Sequence, residues 1–490
     1  MDSAPDGWFF SGCRSISRAA VLILLGSLFS CSLTVGPDYE APEVPMLDQW
    51  HYAAAADVGE PGSPMYGWWK LLEDETLVAL IEKAHSGNLD LNVAVARVAE
   101  FDAIRGIAAG DRVPDLAATG GAERGRGSDG ISPAIPPQER TDTLRDIGLQ
   151  STWELDVWGR IRRSVESATA SYEASIEDLR DLLVIVYADV GSSYVQVRTL
   201  QERLRLAKAN VQLQRETLVI VNARNRAELA PLLDVRQAEL NLAVTESSVP
   251  SIEASIATTL HRLGVLIGDT PGSLRDQLSV QAPLPDVPDS AIVSVPADTI
   301  RQRPDVRSAE RQLAAQTAQI GVATAALYPS FFLSGDIGLA TATGGLLNGD
   351  YKTWGLGALF SWDLFAGGRL RSAIEAEEAR TRQALFSYEQ AVLFAFQDVE
   401  DALISLAKER ERLAALERSV AAAAQADVLV REQYRQGLTN FQNVLDTQRS
   451  LFNQQDEYAE SQGLVLQELI AVYRAFGGGW DVLGPPSDED

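Results

Sequence analysis

The chain states one pattern twice, and no other feature limits its fold so severely. Thr152-Trp153-Glu154-Leu155 followed by Gly159-Arg160-Ile161-Arg162 returns as Ser361-Trp362-Asp363-Leu364 followed by Gly368-Arg369-Leu370-Arg371, an offset of 362 − 153 = 209. The offset persists downstream, where Glu202-Arg203-Leu204 matches Glu411-Arg412-Leu413. Upstream, Asp90, Gly106 and Pro114 match Asp305, Gly321 and Pro329, an offset of 329 − 114 = 215. The first copy is therefore longer by 215 − 209 = 6 residues between Pro114 and Trp153, as expected of a surface loop. The period is too long for a solenoid. It predicts a duplicated half-protein.

Within each copy the hydrophobic pattern changes period. Ile147, Leu149, Trp153 and Leu155 alternate with Asp146, Gly148, Gln150 and Thr152, and Phe331, Leu333, Ile337 and Leu339 alternate with Phe332, Ser334, Asp336 and Gly338. Trp354, Leu356, Ala358, Phe360, Trp362 and Leu364 share another apolar face. Strands of about ten residues with one apolar face, aromatics near the ends and one small or polar face have the dyad pattern of a transmembrane β-strand. A half-buried strand of a soluble sheet has the same local pattern. Four such strands in two hairpins, in a chain with a secretory start, favour the membrane.

Between Arg160 and Ala230 there is one glycine, Gly191, and no proline; between Arg369 and Gln436 there is neither. Each run is about 100 Å of helix if continuous, and its length without caps predicts coiled-coil packing. Each ends in a breaker, Ala227-Glu228-Leu229-Ala230-Pro231 or Gln436-Gly437-Leu438-Thr439-Asn440, followed by a returning helix. The expected organisation is a signal peptide at 1–30 and an extended leader at 31–74. A first repeat at 75–268 has a hairpin at 113–156, a long helix at 160–227 and a return at 232–267. A linker spans 269–302. A second repeat at 303–479 has a hairpin at 329–365, a long helix at 369–436 and a return at 440–476, before a disordered tail at 480–490. The fold class is mainly α with a transmembrane β part.

Four strands cannot close a barrel, for which about eight are needed, and lipid does not tolerate an open edge. Two copies supply eight strands around a filled interior; three supply twelve, as a duct requires.

Composition narrows the function. A net charge of -26 opposes binding to nucleic acid. The two cysteines, Cys13 and Cys31, rule out a disulfide framework in the body. Arg14 and Arg18 precede an apolar stretch from Ala19 to Phe29, too short to span a bilayer and suited to a signal peptide. Leu28-Phe29-Ser30-Cys31 resembles a bacterial lipobox, with Phe29 a departure; lipidation of Cys31 is the expected anchor, and Ser32 in the next position resembles an outer-membrane sorting signal. The histidines His51, His85 and His261 lack metal-ligand spacing, and no P-loop or nucleophile elbow is present, so neither an enzyme nor a cofactor beyond the lipid is expected. Arg303-Pro304-Asp305 reads as a helix start, and Gly477-Gly478-Gly479 as a helix stop.

Val35-Gly36-Pro37-Asp38-Tyr39, Arg303-Pro304-Asp305-Val306-Arg307-Ser308-Ala309-Glu310, Ile320-Gly321-Val322-Ala323, Tyr328-Pro329-Ser330-Phe331, Phe365-Ala366-Gly367-Gly368-Arg369 and Ala475-Phe476-Gly477-Gly478-Gly479-Trp480 occur in that order. Together with the duplication they resemble the TolC-type outer-membrane factors of tripartite efflux systems, in particular the lipidated NodT-like subgroup. The resemblance implies a homotrimeric 12-stranded barrel on an α-helical periplasmic tunnel. It also implies a passive exit duct serving a periplasmic adaptor and an inner-membrane pump, in the outer membrane of a Gram-negative bacterium. It makes the two breakers the tips that narrow the tunnel and meet the adaptor. Gly437 matches the family's tip glycine; its counterpart is Glu228, since 437 − 209 = 228, so the two tips are expected to differ in shape. Thr439 stands where such lipoproteins often carry Asp. Asp234 and Asp446 are alternative members of an acidic ring, with Arg431 and Arg435 as partners that latch them. The competing reading is a periplasmic coiled-coil scaffold held to the membrane by lipid alone.

Overall fold

The computed structural model describes residues 33–43, 50–52, 67–126, 141–285, 297–342 and 351–480. Cys31, the signal-like segment and the acidic tail lie outside these residues.

In the first repeat, α1 (Glu75–Gly87) and α2 (Leu89–Gly110) precede β1 (Asp115–Arg126) and β2 (Thr141–Leu155); α3 (Arg160–Arg226) and α4 (Leu232–Leu266) follow. In the second, α5 (Pro304–Ala325) precedes β3 (Ser330–Thr341) and β4 (Lys352–Ser361), followed by α6 (Arg369–Arg435) and α7 (Phe441–Ala475). The end of β1 and the end of β3 keep the upstream offset, 341 − 126 = 215. The six additional residues therefore fall after Arg126. None of the described helices is long and apolar enough to cross a membrane.

The chain forms two compact units, each drawn from both repeats. Among the described residues, one contains those within 33–42, 100–173 and 310–386; the other contains those within 43–99, 174–309 and 387–480.

The first unit holds one antiparallel sheet in the order β1-β2-β3-β4, so the two hairpins join through β2 and β3. Register sorts the faces. Leu149 lies opposite Ile337, Ile337 opposite Trp354, and Phe331 opposite Phe360, while Gln150 lies opposite Asp336 and Ser334 opposite Gly357. A single-residue slip would mix these faces. The apolar face is uncovered: Trp354 is 80% and Leu356 84% exposed. Among the described residues β1 and β4 each pair on one side only. On the polar face the hairpins use reciprocal pairs. Asp146 reaches over Gly121 in the first, and Asp336 reaches over Gly355 in the second. Any Cβ on either glycine would meet the carboxylate.

Below the sheet the duplication recurs as hydrogen bonds. Trp153 Nε1 donates to the carbonyl of Arg112 at 3.1 Å, and Trp362 Nε1 to that of Leu327 at 3.0 Å. Arg160 pairs with Glu154, and Arg369 with Asp363, after a glycine at positive φ in each copy. The leader segment is tied in by Arg163, buried, which donates to Asp38 Oδ1 at 2.6 Å and to Glu166 at 2.8 Å.

The second unit carries the larger aromatic core. Trp68, Trp69, Tyr187 and Tyr473 interlock, with Trp69 and Tyr187 ring centres 5.0 Å apart and Trp68 stacked on Tyr473 at 5.6 Å. Asp74 caps α1 by accepting from the backbone N–H of Thr76 and Leu77, and its other oxygen accepts from the Tyr194 hydroxyl at 2.5 Å.

Candidate functional site

Each long helix ends in the same motif. Leu229 N donates to Arg224 O at 2.8 Å and Glu228 N to Asn225 O at 2.9 Å; Leu438 N donates to Gln433 O at 2.9 Å and Gly437 N to Tyr434 O at 3.0 Å. This double bond pattern around a left-handed residue is a Schellman termination. Gly437 has φ 77° and Glu228 φ 62°. The expected difference in tip shape is therefore corrected: the backbones agree, and Glu228 bears a conformation that disfavours a Cβ. Asn225 Nδ2 closes the first turn by donating to Ala230 O at 2.8 Å.

What differs is the surface. Leu229 and its counterpart Leu438 are both exposed, but Leu232 and Leu233 are also exposed at the first tip, where the second has buried Phe441 and polar Gln442. At the second, Asn440 caps α7 by accepting from Asn443 N at 3.1 Å, and Asn443 Nδ2 donates to Thr439 Oγ1 at 2.8 Å. A small apolar core joins the tips: Val221, Val235, Ala238, Tyr434, Phe441, Val444 and Leu445. Across it the Arg224 guanidinium lies 4.5 Å from the Tyr434 ring centre and donates to the Tyr434 carbonyl. Arg224 Nε and the Tyr434 hydroxyl are buried without further protein partners among the described residues.

The predicted latch is corrected within the chain. Arg431 pairs with Asp427 at 2.6 Å and Arg435 weakly with Glu432 at 3.7 Å, both along α6. Neighbours one turn away compete successfully for a guanidinium. Asp446 accepts instead from Gln442 at 3.0 Å. Asp234 sits in the first turn of α4; desolvation raises its carboxyl above the usual range, opposed by the charge of Arg224. Sequence reasoning missed Arg224 and Tyr434. Their signal was position: Arg224 stands four residues before Glu228, and Tyr434 three before Gly437.

A second polar centre surrounds Arg303, which is 8% exposed. Pro304 opens α5 as expected. Arg303 donates to the last-turn carbonyl of Ala475 at 2.5 Å, to Asp305 at 2.8 Å and to Asp398 at 3.0 Å. Its counterpart in the first repeat is Asn88 (303 − 215 = 88), which donates to Leu266 O at 2.8 Å. Since 266 + 209 = 475, the two side chains close equivalent helix ends. Next to Arg303 a cavity of about 430 Å³ is lined by Asp181, Asp305, Asp398, Asp401 and Glu468, with Arg474 as second cation. Burial, then the charge of Asp305, pushes Asp181 up to about 6 against Arg303 and Arg474. Among the described residues no group of three His, Cys, Asp or Glu side chains is placed to hold a metal ion.

A family described as "Outer membrane efflux protein" matches residues 80–269 and 295–478, one segment in each repeat. Nodulation protein T of Rhizobium leguminosarum bv. trifolii is 30% identical over 463 residues, 93% of this chain and 96% of its own. The solvent efflux pump outer membrane protein SrpC of Pseudomonas putida is 30% identical over 479 residues, 96% and 99% respectively. The outer-membrane channel OprN superposes with a TM-score of 0.86 at 35% identity, covering 92% of this chain and 100% of that one. The Campylobacter jejuni CmeC outer membrane channel shares the fold, with a TM-score of 0.85 at 21% identity over 94% and 96%. The chain belongs to the outer membrane efflux protein family, resides in the outer membrane, and has the internally duplicated TolC-like channel fold.

Proposed function

We propose that three copies assemble into a passive exit duct for small molecules, working with a periplasmic adaptor and an inner-membrane pump. The carrying observation is the sheet, with β1 and β4 each unpaired on one side among the described residues and one uncovered apolar face. In lipid such edges must find partners, and three four-stranded sheets supply a barrel wide enough for passage. SrpC is an efflux pump outer membrane protein by name, and OprN an outer-membrane channel; both support this reading.

The tips close the duct, and the adaptor engages them and opens it. Glu228, Asp234, Arg431, Arg435, Gly437, Thr439 and Asp446 lie on or near this surface and are the proposed gate and contact residues. Cys31 carries the lipid anchor. Detergent-extracted protein should run as a trimer and conduct ions in planar bilayers; a monomer without conductance would refute the duct. Cys31→Ser should lose acyl mass yet stay membrane-embedded, whereas a scaffold tethered by lipid alone would be released.

A further inference from the structure

The two returning helices end alike. Gly268 N donates to Val265 O at 3.0 Å and Asp269 N to Gly264 O at 2.8 Å; Gly477 N donates to Arg474 O at 2.8 Å and Gly478 N to Tyr473 O at 2.9 Å. Both bonds keep the repeat offset, 473 − 264 = 209, and Gly268 and Gly477 have φ 76° and 71°. The chain therefore leaves α4 and α7 in the same local direction. After α4 it runs along α3, where Arg198 Nη1 donates to Val280 O at 2.9 Å and Gln201 Nε2 to Leu278 O at 2.6 Å. It then crosses to the second repeat, where Ala282-Pro283-Leu284-Pro285 walls a cavity of about 430 Å³ together with Leu413, Gln462, Val465 and Leu466.

The first-repeat counterparts of those four side chains are Leu204, Glu253, Ile256 and Ala257, since 413 − 209 = 204 and 466 − 209 = 257. All four line a larger cavity, of about 790 Å³, whose lining among the described residues holds no counterpart of Ala282–Pro285. Its charge differs as well. Arg205, Lys208 and His261 stand where the second repeat has Ala414, Glu417 and Ile470, and Arg275 joins them from the linker. Arg205 pairs with Glu202 and Lys208 with Glu253; Arg275 has no side-chain partner among the described residues. Three cations thus face one carboxylate in this lining, within a chain of net charge -26. Residues 481–490, outside the described residues, follow α7 as 272–281 follow α4. They carry apolar, proline-bearing Val482-Leu483-Gly484-Pro485-Pro486 and then Asp488-Glu489-Asp490. Extended, ten residues span up to about 33 Å, farther than the linker advances through its turns at 271–278.

We propose that Asp488–Asp490 of one copy dock in this cationic cavity of the next, so that the C-terminal segment ties successive copies together as Ala282–Pro285 ties the two repeats within one chain. The segment that reaches a first-repeat face in this way comes from the preceding second repeat, which belongs to another copy. Charge complementarity selects its acidic end. This rests on assembly of three copies, and the two ideas separate experimentally. Full-length protein carrying Ser279→Cys and Ser487→Cys, which leave every charge in place, is purified in detergent, sized by light scattering and treated with a short bis-maleimide. Denaturing gels should then show a covalent ladder up to the trimer. The ladder should be absent from each single variant, and lost when the reaction is run at about 1 M salt, where charges are screened beyond about 3 Å. Trimers in solution without a ladder, or a cross-link confined to one chain, would overturn the docking and leave the duct standing; monomers in solution would count against the assembly itself. Thermal dissociation of the trimer supplies a second readout. Lys208→Gln with Arg275→Gln, and separately Asp488→Asn, Glu489→Gln and Asp490→Asn together, should each lower the midpoint, and combining the two sets should lower it little further. Losses that add in full would mean the two charge sets do not meet, and would overturn the docking.

Discussion

Arg224 of the first repeat covers the ring of Tyr434 of the second, 4.5 Å from guanidinium carbon to ring centre, and donates to the same residue's carbonyl. Two attractions of different kinds thus join the C-terminal ends of α3 and α6. A half-buried cation–π contact and a charged hydrogen bond are each worth about 1–2 kcal/mol. Arg224→Ala should therefore shift the tips toward open, raising basal conductance by about tenfold for each 1.4 kcal/mol lost. Arg224→Lys, which keeps charge without the planar fork, should fall between. Conductance of purified trimers measures both.

Glu228 and Gly437 occupy equivalent left-handed positions. A side chain there costs about 1 kcal/mol relative to glycine. Glu228→Gly should raise the melting temperature slightly, and Gly437→Ala should lower it by a comparable amount. If Glu228→Gly were destabilising, the side chain would hold a contact that outweighs its backbone strain.

The Asp181 cavity gives a pH dependence with a definite sign. Its folded value, about 6, lies above the ordinary 3.8 because burial and Asp305 disfavour the carboxylate. The folded state thus holds its proton more tightly than the unfolded one. Stability from this group is complete at pH below about 4 and is lost as pH rises through about 6. Asp181→Asn should flatten the melting temperature between pH 5 and 7 and raise it at pH 7.5.

Arg303 neutralises Asp305 and Asp398 while closing α7. Arg303 is buried while the side chains of Asp305 and Asp398 are 31% and 55% exposed, so solvent screens the carboxylates and removing the guanidinium costs less than the ~3–5 kcal/mol of a fully buried pair. Arg303→Asn should lower the thermal midpoint of the trimer. Arg303→Asn with Asp398→Asn should recover part of the loss, because the remaining carboxylates repel less; thermal unfolding of single and double variants gives the coupling.

Strand sidedness was legible because residues two apart share a face, and Ile337 falls in register with both Leu149 and Trp354. The repeat was legible because Trp153 and Trp362 make the same bond in each copy. The Arg224–Tyr434 contact was not, since it spans 210 residues and depends on how two helix ends meet. The partners of Arg431 and Arg435 were within reach of spacing alone, in Asp427 and Glu432 on the same helix. The shape of the first tip was misjudged because the surrounding hydrogen bonds, not the residue at the turn, set its backbone. Side-chain identity there determines only the strain.

The matched helix ends at Leu266 and Ala475 are closed by a neutral amide in one repeat and by a charged guanidinium in the other. The duplication is thus electrically asymmetric. In a ring of three chains, six backbone-equivalent sectors would respond to salt or protons as two alternating sets. An ionic perturbation would break pseudo-sixfold symmetry down to threefold without moving any element out of place.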